Sequence, residues 1–394
     1  MVASAAGRHT FPVPSALTRE RVRRDVEVLA HAGLDTATFL VEVFDSLQRA
    51  VPSDAACVAS VDPATQLTTG AFKFGDLATR HDTDELWGLL EYGHVEPTSF
   101  TELARIAVPA VAMHLATGGD GQRSRRFREL VQSSLGCTDE LRLVATSGGQ
   151  LWGGVAMFRD DRAAPYSQDD VDFVASLSGL LARGLRVGIL ARLAGEPPPS
   201  SPSARPAVMV FDADARLQQA SVGAEARLAD LVRELDAPAP YAVVGSLVAA
   251  AWRYAAGTTH VLPSSRLRLR GGEWVVLHAS PLNGTDGSTA NVVITIEEAR
   301  PPEIVPLVVA AFDLTPRERD VTQLVLQGID TREIAAALHL SPHTVQDHLK
   351  SIFNKTGVNT RRELVARVFF DQYAPRIGTP LSPSGWFLDT SPAR

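Results

Sequence analysis

A polar helix face near the C-terminal end of the sequence carries the side chains whose chemistry is most readily interpreted. The stretch HLSPHTVQDHLKSIFNKTG covers residues 339–357, and Ser341-Pro342 is typical of a helix start. Apolar residues recur about one turn apart and predict a buried face: Val345, Leu349 and Ile352. The opposite face bears hydrogen-bonding groups: His343, Gln346, Asp347, Lys350 and Asn354. Such side chains bind base edges in a major groove, although periodicity alone favours an ordinary solvated helix.

This helix is one of four that the sequence predicts within residues 308–370. Each has a side chain suited to capping its N-terminus: Thr315, Asp330, Ser341 and Thr360. Glu318 and Glu333 stand at third positions and complete capping boxes, and Gly328 supplies a left-handed stop. Only residues 339–341 separate the second helix from the third, which predicts crossing helices rather than an antiparallel hairpin. The segment therefore predicts a small all-α domain.

Residues 314–369 closely resemble the LuxR-type (GerE-like) helix-turn-helix family. The matching motifs are LTPRERDV, GIDTREIAAALHLSPHTVQDHLKSIFNKTGV and TRRELVARV. The resemblance implies a DNA-binding domain whose third helix lies in the major groove and whose fourth helix forms dimers. Many family members carry lysine at the position of Gln346, and Asp347 follows it here. The attraction of this helix for phosphate is therefore reduced.

The resemblance also implies a role for individual side chains of the domain. Base reading is expected from Gln346, Asp347 and Lys350. Contacts to the DNA backbone are expected from Thr331, His343, Thr344, Lys355, Arg361 and Arg362. Dimer packing is expected from Leu364, Val365 and Val368. In this scheme glutamine reads adenine, aspartate accepts from the amino group of cytosine, and the cations supply the salt-dependent part of the affinity.

The distribution of charge is compatible with DNA contact at this end of the chain. The 394 residues carry a net charge of −7, which argues against a protein whose whole surface binds nucleic acid. Residues 313–370 contain eight Lys/Arg against seven Asp/Glu, so this segment carries +1 and the remainder −8. The excess of negative charge therefore lies outside residues 313–370.

Residues 15–194 alternate between helices and strand pairs. Helices are predicted over 15–32, 35–50, 83–92, 100–116 and 167–193. Strands are predicted at AACVASVD, QLTTGAFKF, DELRLVAT and LWGGVAMFRD. This order resembles a GAF domain, most closely in LWGGVAMFR and PYSQDDVDFVASLS, and implies a small-molecule or partner sensor built on a mixed sheet. The apolar stripe of the closing helix either packs on its own sheet or pairs with its copy in a dimer: Val174, Leu177, Leu181, Leu185 and Ile189.

A Pro/Ser run, GEPPPSSPSARP at 195–206, predicts a semi-rigid linker. Beyond it, residues 207–299 predict about five strands with a short helical insert, which resembles a PAS domain. A second break is expected at EEARPPEIVP, residues 297–306, and a poorly ordered tail at 371–394. The expected architecture is multidomain α+β: a GAF-like α/β sensor, a PAS-like α+β domain and a C-terminal all-α four-helix domain.

Signatures of catalysis are not found in the sequence. It lacks a phosphate-binding P-loop, a GxGxxG after a strand, an HExxH helix and a GxSxG elbow. A non-enzymatic transcriptional regulator without a cofactor or metal is therefore expected. The alternatives are a sigma-factor-like subunit, or an enzyme that its helix-turn-helix targets to DNA.

The expected partners are double-stranded DNA, a second copy of the chain and RNA polymerase. No phosphorylatable receiver domain is apparent, so a small-molecule effector of unknown identity or a partner protein is expected to act through the sensor regions. Neither a signal peptide nor an apolar run of about 18 residues occurs, which predicts a cytoplasmic protein without membrane contact. The two cysteines, Cys57 and Cys137, exclude a disulfide framework and are expected to be idle thiols.

Overall fold

The computed structural model describes residues 14–191, 206–212, 214–224, 228, 240–268, 274–283 and 291–370. These residues form two five-stranded sheets with flanking helices and a C-terminal group of helices, which confirms the predicted multidomain α+β fold. The predicted linker at 195–206 (apart from its last residue) and the predicted tail at 371–394 lie outside the described residues.

The first sheet lies between two layers of helix. Its region contains α1 (Ala16–His31), α2 (Thr36–Leu47), β1 (Ala55–Val61), β2 (Thr68–Gly75), α3 (Asp84–Gly93), α4 (Phe100–Leu103), β3 (Ala110–Ala112), α5 (Met113–Thr117), β4 (Asp139–Ser147), β5 (Gln150–Arg159), α6 (Gln168–Ala175) and α7 (Ser178–Ala191). The strand order is β2-β1-β5-β4-β3. Every pairing is antiparallel, so the expected mixed sheet is corrected in this respect. Gly148 and Gly149 have positive φ angles and close the β4–β5 hairpin without a steric penalty.

The prediction of one helix over residues 100–116 was wrong for the central residues of that range. Only α4 and α5 are helical there, and β3 lies between them at the edge of the sheet. Pro109 lacks the N–H that a helix needs and pushes the residue before it toward an extended conformation. Val108 and Val111 are β-branched and favour strands. These local preferences outweigh the apolar periodicity on which the prediction rested.

The predicted closing helix is two helices, α6 and α7, which meet at an angle of 42°. Ser167 caps α6 as predicted and forms a capping box with Asp170. The apolar stripe is buried against the chain's own sheet, because Val174, Leu177 and Leu181 are at most 2% exposed. The stripe therefore follows the simpler alternative, in which the helix packs within its own domain.

The second sheet repeats the strand order of the first. It contains β6 (Ala207–Phe211), β7 (Leu217–Ala220), β8 (Ser264–Arg268), β9 (Trp274–Pro281) and β10 (Val292–Glu298), in the order β7-β6-β10-β9-β8. All of these pairings are antiparallel. Instead of a short insert, the 16-residue helix α8 (Pro240–Ala255) packs on this sheet. Its apolar residues form a core with the strands, including Val244, Leu247 and Val248.

Helix α8 also binds the two regions together through a close contact with α3. A Cβ atom at Gly88 would lie 2.5 Å from the carbonyl oxygen of Ala242, and one at Gly245 would lie 2.4 Å from the carbonyl oxygen of Glu85. Both glycines are therefore required for the two backbones to approach this closely. The sequence analysis did not predict this helix–helix contact.

A cluster of charged side chains is buried between the first sheet and α3. Arg126 donates to Glu140, and Arg142 donates to both Glu140 (2.9 Å) and Glu91 (2.6 Å). The Lys73–Asp84 ion pair lies nearby, and all six side chains are at most 2% exposed. Three positive and three negative charges balance, as burial requires.

The C-terminal helices follow directly from the second sheet. They are α9 (Pro301–Ala311), α10 (Pro316–Leu326), α11 (Thr331–Ala337), α12 (Pro342–Thr356) and α13 (Arg361–Val365), which continues as a π-helical turn at Ala366–Phe370. The four predicted helices α10–α13 are confirmed with their caps. Within the predicted break at 297–306, β10 ends at Glu298 and α9 begins at Pro301, with prolines at its first positions, where a missing N–H costs little.

A membrane span is supported only weakly by the helix lengths. No single helix within the described ranges is long and apolar enough to cross a membrane, whereas the bent pair α6 and α7 together meets that test of length and composition. Both members of the pair bury their apolar residues against the first sheet.

Candidate nucleic-acid interface

Helix α12 presents one buried and one exposed face. Ser341 caps it by accepting from the backbone N–H of Thr344 at 3.0 Å, and Gly357 ends it in a left-handed conformation. Its apolar stripe is buried in the domain, with at most 3% exposure: Val345, Leu349 and Ile352. The sequence-based assignment of the buried face is confirmed.

The exposed face brings four of the predicted side chains together. Gln346 is exposed, and the side chains of His343, Asp347 and Lys350 are 87%, 56% and 77% exposed. Asp347 lies between the other two, because its carboxylate is 3.1 Å from Nδ1 of His343 and 4.0 Å from Nζ of Lys350. This face therefore combines hydrogen-bonding groups with a carboxylate between two basic side chains.

Glu318 of α10 holds α12 in place. One carboxylate oxygen accepts from Ser351 at 2.5 Å and the other from Lys355 at 2.7 Å and from the backbone N–H of Thr315. The Glu318 residue is 4% exposed. Burial tends to raise its pKa, but the hydrogen bonds from Lys355, Ser351 and Thr315 lower the pKa to about 2. A charged carboxylate thus joins the capping box of α10 to the C-terminal half of α12.

Two of the cations predicted to contact phosphate also make contacts within the domain. The ammonium of Lys355 faces Glu318, which places this charge within the domain. The guanidinium of Arg361 donates to the carbonyl of Ile329 and to the hydroxyl of Thr331, both at 2.8 Å. Arg361 therefore ties the start of α13 to the turn before α11. Lys355 and Arg361 thus make contacts within the domain, and their contact with the DNA backbone stays a prediction.

The other residues predicted to contact the DNA backbone differ in whether their side chains are hydrogen-bonded within the domain or exposed. Thr331 accepts from Arg361, and Thr344 shares a hydrogen bond of 2.8 Å with Ser341 at the start of α12. Arg362 is exposed at the first turn of α13. Its role, like that of His343, stays a prediction.

The predicted dimer residues are largely buried within the chain. Leu364 and Val368 are both 0% exposed, and Val365 is half-buried. The segment that contains them packs against α9 and α10. Leu364 and Val368 therefore pack in the core of their own chain, and the dimer role of Leu364, Val365 and Val368 stays a prediction.

Polar contacts join the C-terminal domain to the first sheet region. The buried guanidinium of Arg186 on α7 donates to Asp313 at 2.6 Å, and Arg319 on α10 donates to the side chain of Gln150 at 3.3 Å. The sequence analysis missed these contacts, since each joins residues more than 120 positions apart. They leave the exposed face of α12 open.

The two cysteines are buried and unpaired. Burial is the largest cause that raises the pKa of each thiol, to about 12. A thiol of that pKa stays protonated at neutral pH and is a poor nucleophile. Cys57 and Cys137 are thus buried thiols, and the expectation that they are idle stays a prediction.

A family model supports this assignment of the domain. Residues 313–368 match the model for bacterial regulatory proteins of the luxR family (GerE). The match covers the four helices α10–α13, whose caps the sequence analysis predicted. The chain outside these residues is not covered by that match.

Curated relatives are similar over the same segment. Response regulator Rre1 of Synechocystis is 49% identical over 54 residues, which is 14% of this chain and 23% of the relative. Transcriptional regulatory protein UhpA of Escherichia coli is 46% identical over 56 residues, 14% of this chain and 29% of the relative. ComA of Bacillus subtilis is 50% identical over 52 residues, 13% of this chain and 24% of the relative. The chain therefore spans less than a third of the length of each, and their names are those of regulators rather than enzymes.

Solved structures resemble the chain only distantly. A phycoerythrobilin-bound GAF domain from a cyanobacterial phytochrome is 12% identical with a TM-score of 0.33, and covers 44% of this chain and 97% of that one. Escherichia coli SdiA is 10% identical with a TM-score of 0.32, and covers 88% of this chain and 95% of that one. TM-scores this low do not establish a shared arrangement.

Proposed function

Residues 313–368 form a DNA-binding domain of the LuxR family, and from that premise we propose that the protein is a sequence-specific transcriptional regulator controlled through its two sheet regions. The proposal rests chiefly on the exposed face of α12. Its polar side chains are free to approach DNA, while the opposite face is fixed by the domain core. This is the geometry that major-groove reading requires.

We assign base reading to Gln346, Asp347 and Lys350, whose ammonium also neutralises a phosphate, and phosphate contact alone to His343, Thr344 and Arg362. Asp347 repels phosphate, so it reduces non-specific attraction while it orients His343 and Lys350. Low attraction for random DNA raises the ratio of specific to non-specific affinity, which is the quantity that matters in a genome.

We further propose that the protein acts as a homodimer in the cytoplasm, where it meets DNA and RNA polymerase. Exposed apolar side chains on α1 and α2 support a second copy on that face rather than on α13: Leu17, Val28 and Val41, which are 59%, 69% and 47% exposed. Sedimentation velocity of the wild-type full chain and of the Val28→Asp variant tests the proposed dimer. A monomeric wild-type protein would contradict it.

The effect of Lys350 on affinity tests the DNA interface. Lys350→Ala is expected to weaken binding to all sequences and to reduce the slope of log affinity against log salt by about 1, because one phosphate-neutralising charge is lost. The measurement is a salt titration with full-length protein on a footprinted site. Arg123→Ala is the matched control, since Arg123 is an exposed cation outside the DNA-binding domain and outside α1 and α2, with a side chain 75% exposed.

An unchanged slope for Lys350→Ala, or an equal change for Arg123→Ala, would contradict the assignment. A chain that copurifies with RNA polymerase but gives no footprint alone would instead favour a sigma-factor-like subunit.

A further inference from the structure

Helices α1 and α2 form an exposed hairpin that packs on α7. Only residues 32–35 connect them, so the two helices run in opposite directions. Asp25 of α1 holds them together, because it accepts from Ser46 at 3.2 Å and from Arg49 at 2.5 Å in α2. The outward groove between the helices is lined by side chains of both: Asp25, Val28, Leu29, Glu42, Asp45, Ser46 and Arg49.

Opposite charges lie at the two ends of this hairpin. Glu42 lies beside Val28 in the groove, on the side of the connection between the helices. Arg21 lies seven residues before Val28, which is about two turns or 10 Å along α1 and almost on the same line of the helix surface. One end of the hairpin is therefore acidic, and the other is basic.

The charges at both ends lack partners in their own chain. Arg21, Glu42 and Asp45 are exposed, and none of their side chains forms a hydrogen bond or an ion pair with another described residue. The neighbouring Arg49, in contrast, is paired with Asp25. A twofold axis between the two ends would bring the basic end of one copy to the acidic end of the other, and every such contact would occur twice.

Apolar surface accompanies these charges. Val28 is 69% exposed beside Glu42, and Leu17, one turn before Arg21, is 59% exposed. An arginine stem covers apolar surface while its guanidinium pairs with a carboxylate. In an antiparallel arrangement, the stem of Arg21 would therefore cover Val28 of the second copy, and its guanidinium would reach the adjacent Glu42.

We propose that the α1–α2 hairpin pairs antiparallel with that of a second copy, and that Arg21 of each copy binds Glu42 of the other. The inference rests on the proposed homodimer and names the contacts that hold it together. A second copy fits this face better than a basic or an acidic partner, because unpaired charges of both signs lie on one face at positions that a twofold rotation exchanges.

The paired face is connected to the DNA-binding domain through α7. Helix α1 packs on α7, and Arg186 of α7 donates to Asp313 at 2.6 Å. Pairing of the hairpins would therefore relate two DNA-binding domains by the same twofold axis. A dimer of this symmetry matches a palindromic operator.

Sedimentation equilibrium of the full-length protein measures the dissociation constant of the dimer. Arg21→Glu and Glu42→Arg each place like charges at both symmetric contacts, and each is expected to raise this constant about tenfold. The double variant restores opposite charges, and its constant is expected to lie within about threefold of the wild-type value. Arg123→Glu is the control, since Arg123 lies outside the hairpin with a side chain 75% exposed.

Salt dependence gives a second readout. The screening length falls from about 10 Å at 0.1 M salt to about 3 Å at 1 M salt. The dimers of the wild type and of the double variant are expected to weaken over this range, whereas those of the single variants should weaken less, because salt also screens their repulsion. The substituted side chains are exposed, so thermal unfolding is expected to stay close to that of the wild type.

Three results would overturn the inference. A wild-type dimer that neither single reversal weakens would mean that the copies meet elsewhere, and would leave the homodimer itself in place. Single reversals that weaken the dimer without rescuing each other would mean that Arg21 does not face Glu42. A wild-type protein that is monomeric at every concentration would overturn both this inference and the proposed homodimer, and protection of Val28 from hydroxyl radicals in that monomer would assign the face to another segment of the same chain.

Discussion

Replacing Arg142 with methionine is expected to destabilise the first sheet region by about 3–5 kcal/mol, the usual cost of removing one partner from a buried ion pair. Arg142 is 0% exposed and bonds both Glu91 and Glu140, and its guanidinium carbon lies 3.9 Å from the ring centroid of Phe100. Burial alone would raise the pKa of Glu140, but Arg126 and Arg142 lower it below its ordinary value. Without Arg142, two carboxylates share one guanidinium in a site from which water is excluded.

Chemical denaturation of the full chain, followed by hydrogen exchange in β4 and β5, measures this loss. Arg24→Gln is the control, since its ion pair with Glu20 is exposed and contributes less than about 1 kcal/mol. If Arg142→Met lowers the free energy of unfolding no more than the control does, the buried charges do not act as one cluster.

Replacing Glu318 with glutamine is expected to destabilise the C-terminal domain by about 3 kcal/mol at neutral pH. The pKa of this carboxyl falls from 4.5 to about 2 on folding, and each unit corresponds to about 1.4 kcal/mol. A lowered pKa means that the carboxylate stabilises the fold fully above about pH 4.5. This stabilisation is lost as the pH falls from 4.5 through about 2. The difference between wild type and Glu318→Gln should therefore shrink across that window.

Hydrogen exchange over α10 and α12 as a function of pH measures the effect. Glu333→Gln is the matched control, since Glu333 holds the same capping-box position in α11 but is exposed. Specific DNA binding is also expected to weaken in Glu318→Gln, because α12 loses the charge-assisted hydrogen bond from Lys355 to the carboxylate on α10. If Glu318→Gln and Glu333→Gln lower the stability of the domain equally, the hydrogen bonds from Ser351 and Lys355 contribute no stability beyond that of a capping box.

The C-terminal domain could be predicted from the sequence because its signals are local. Each cap lies within three residues of the N–H group that it satisfies, so the pattern alone gives the start of the helix. The spacing of apolar residues, which is also local, predicted the buried and exposed faces of α12. These local signals did not give the bonds from Ser351 and Lys355 to Glu318, because a capping-box glutamate looks the same whether or not its carboxylate also reaches a neighbouring helix.

The contacts between the two sheet regions could not be predicted, because they form between residues that lie far apart in the sequence. Helix α8 is apolar on most of its surface, and nothing near Gly245 in the sequence indicates that Glu85 of α3 packs against it. Arg266 and Asp62 are about 200 positions apart, and either one alone resembles an ordinary surface charge.

The central claim is that the exposed face of α12 reads DNA sequence. It is tested most directly by selecting binding sites from random double-stranded DNA with the full chain and with Gln346→Ala and Asp347→Ala. Both side chains are exposed, so neither change is expected to alter folding. We predict one consensus for the wild type and a changed base preference in each variant, by about 1–3 kcal/mol at the affected position. An identical consensus from all three proteins, or none from the wild type, would contradict the account.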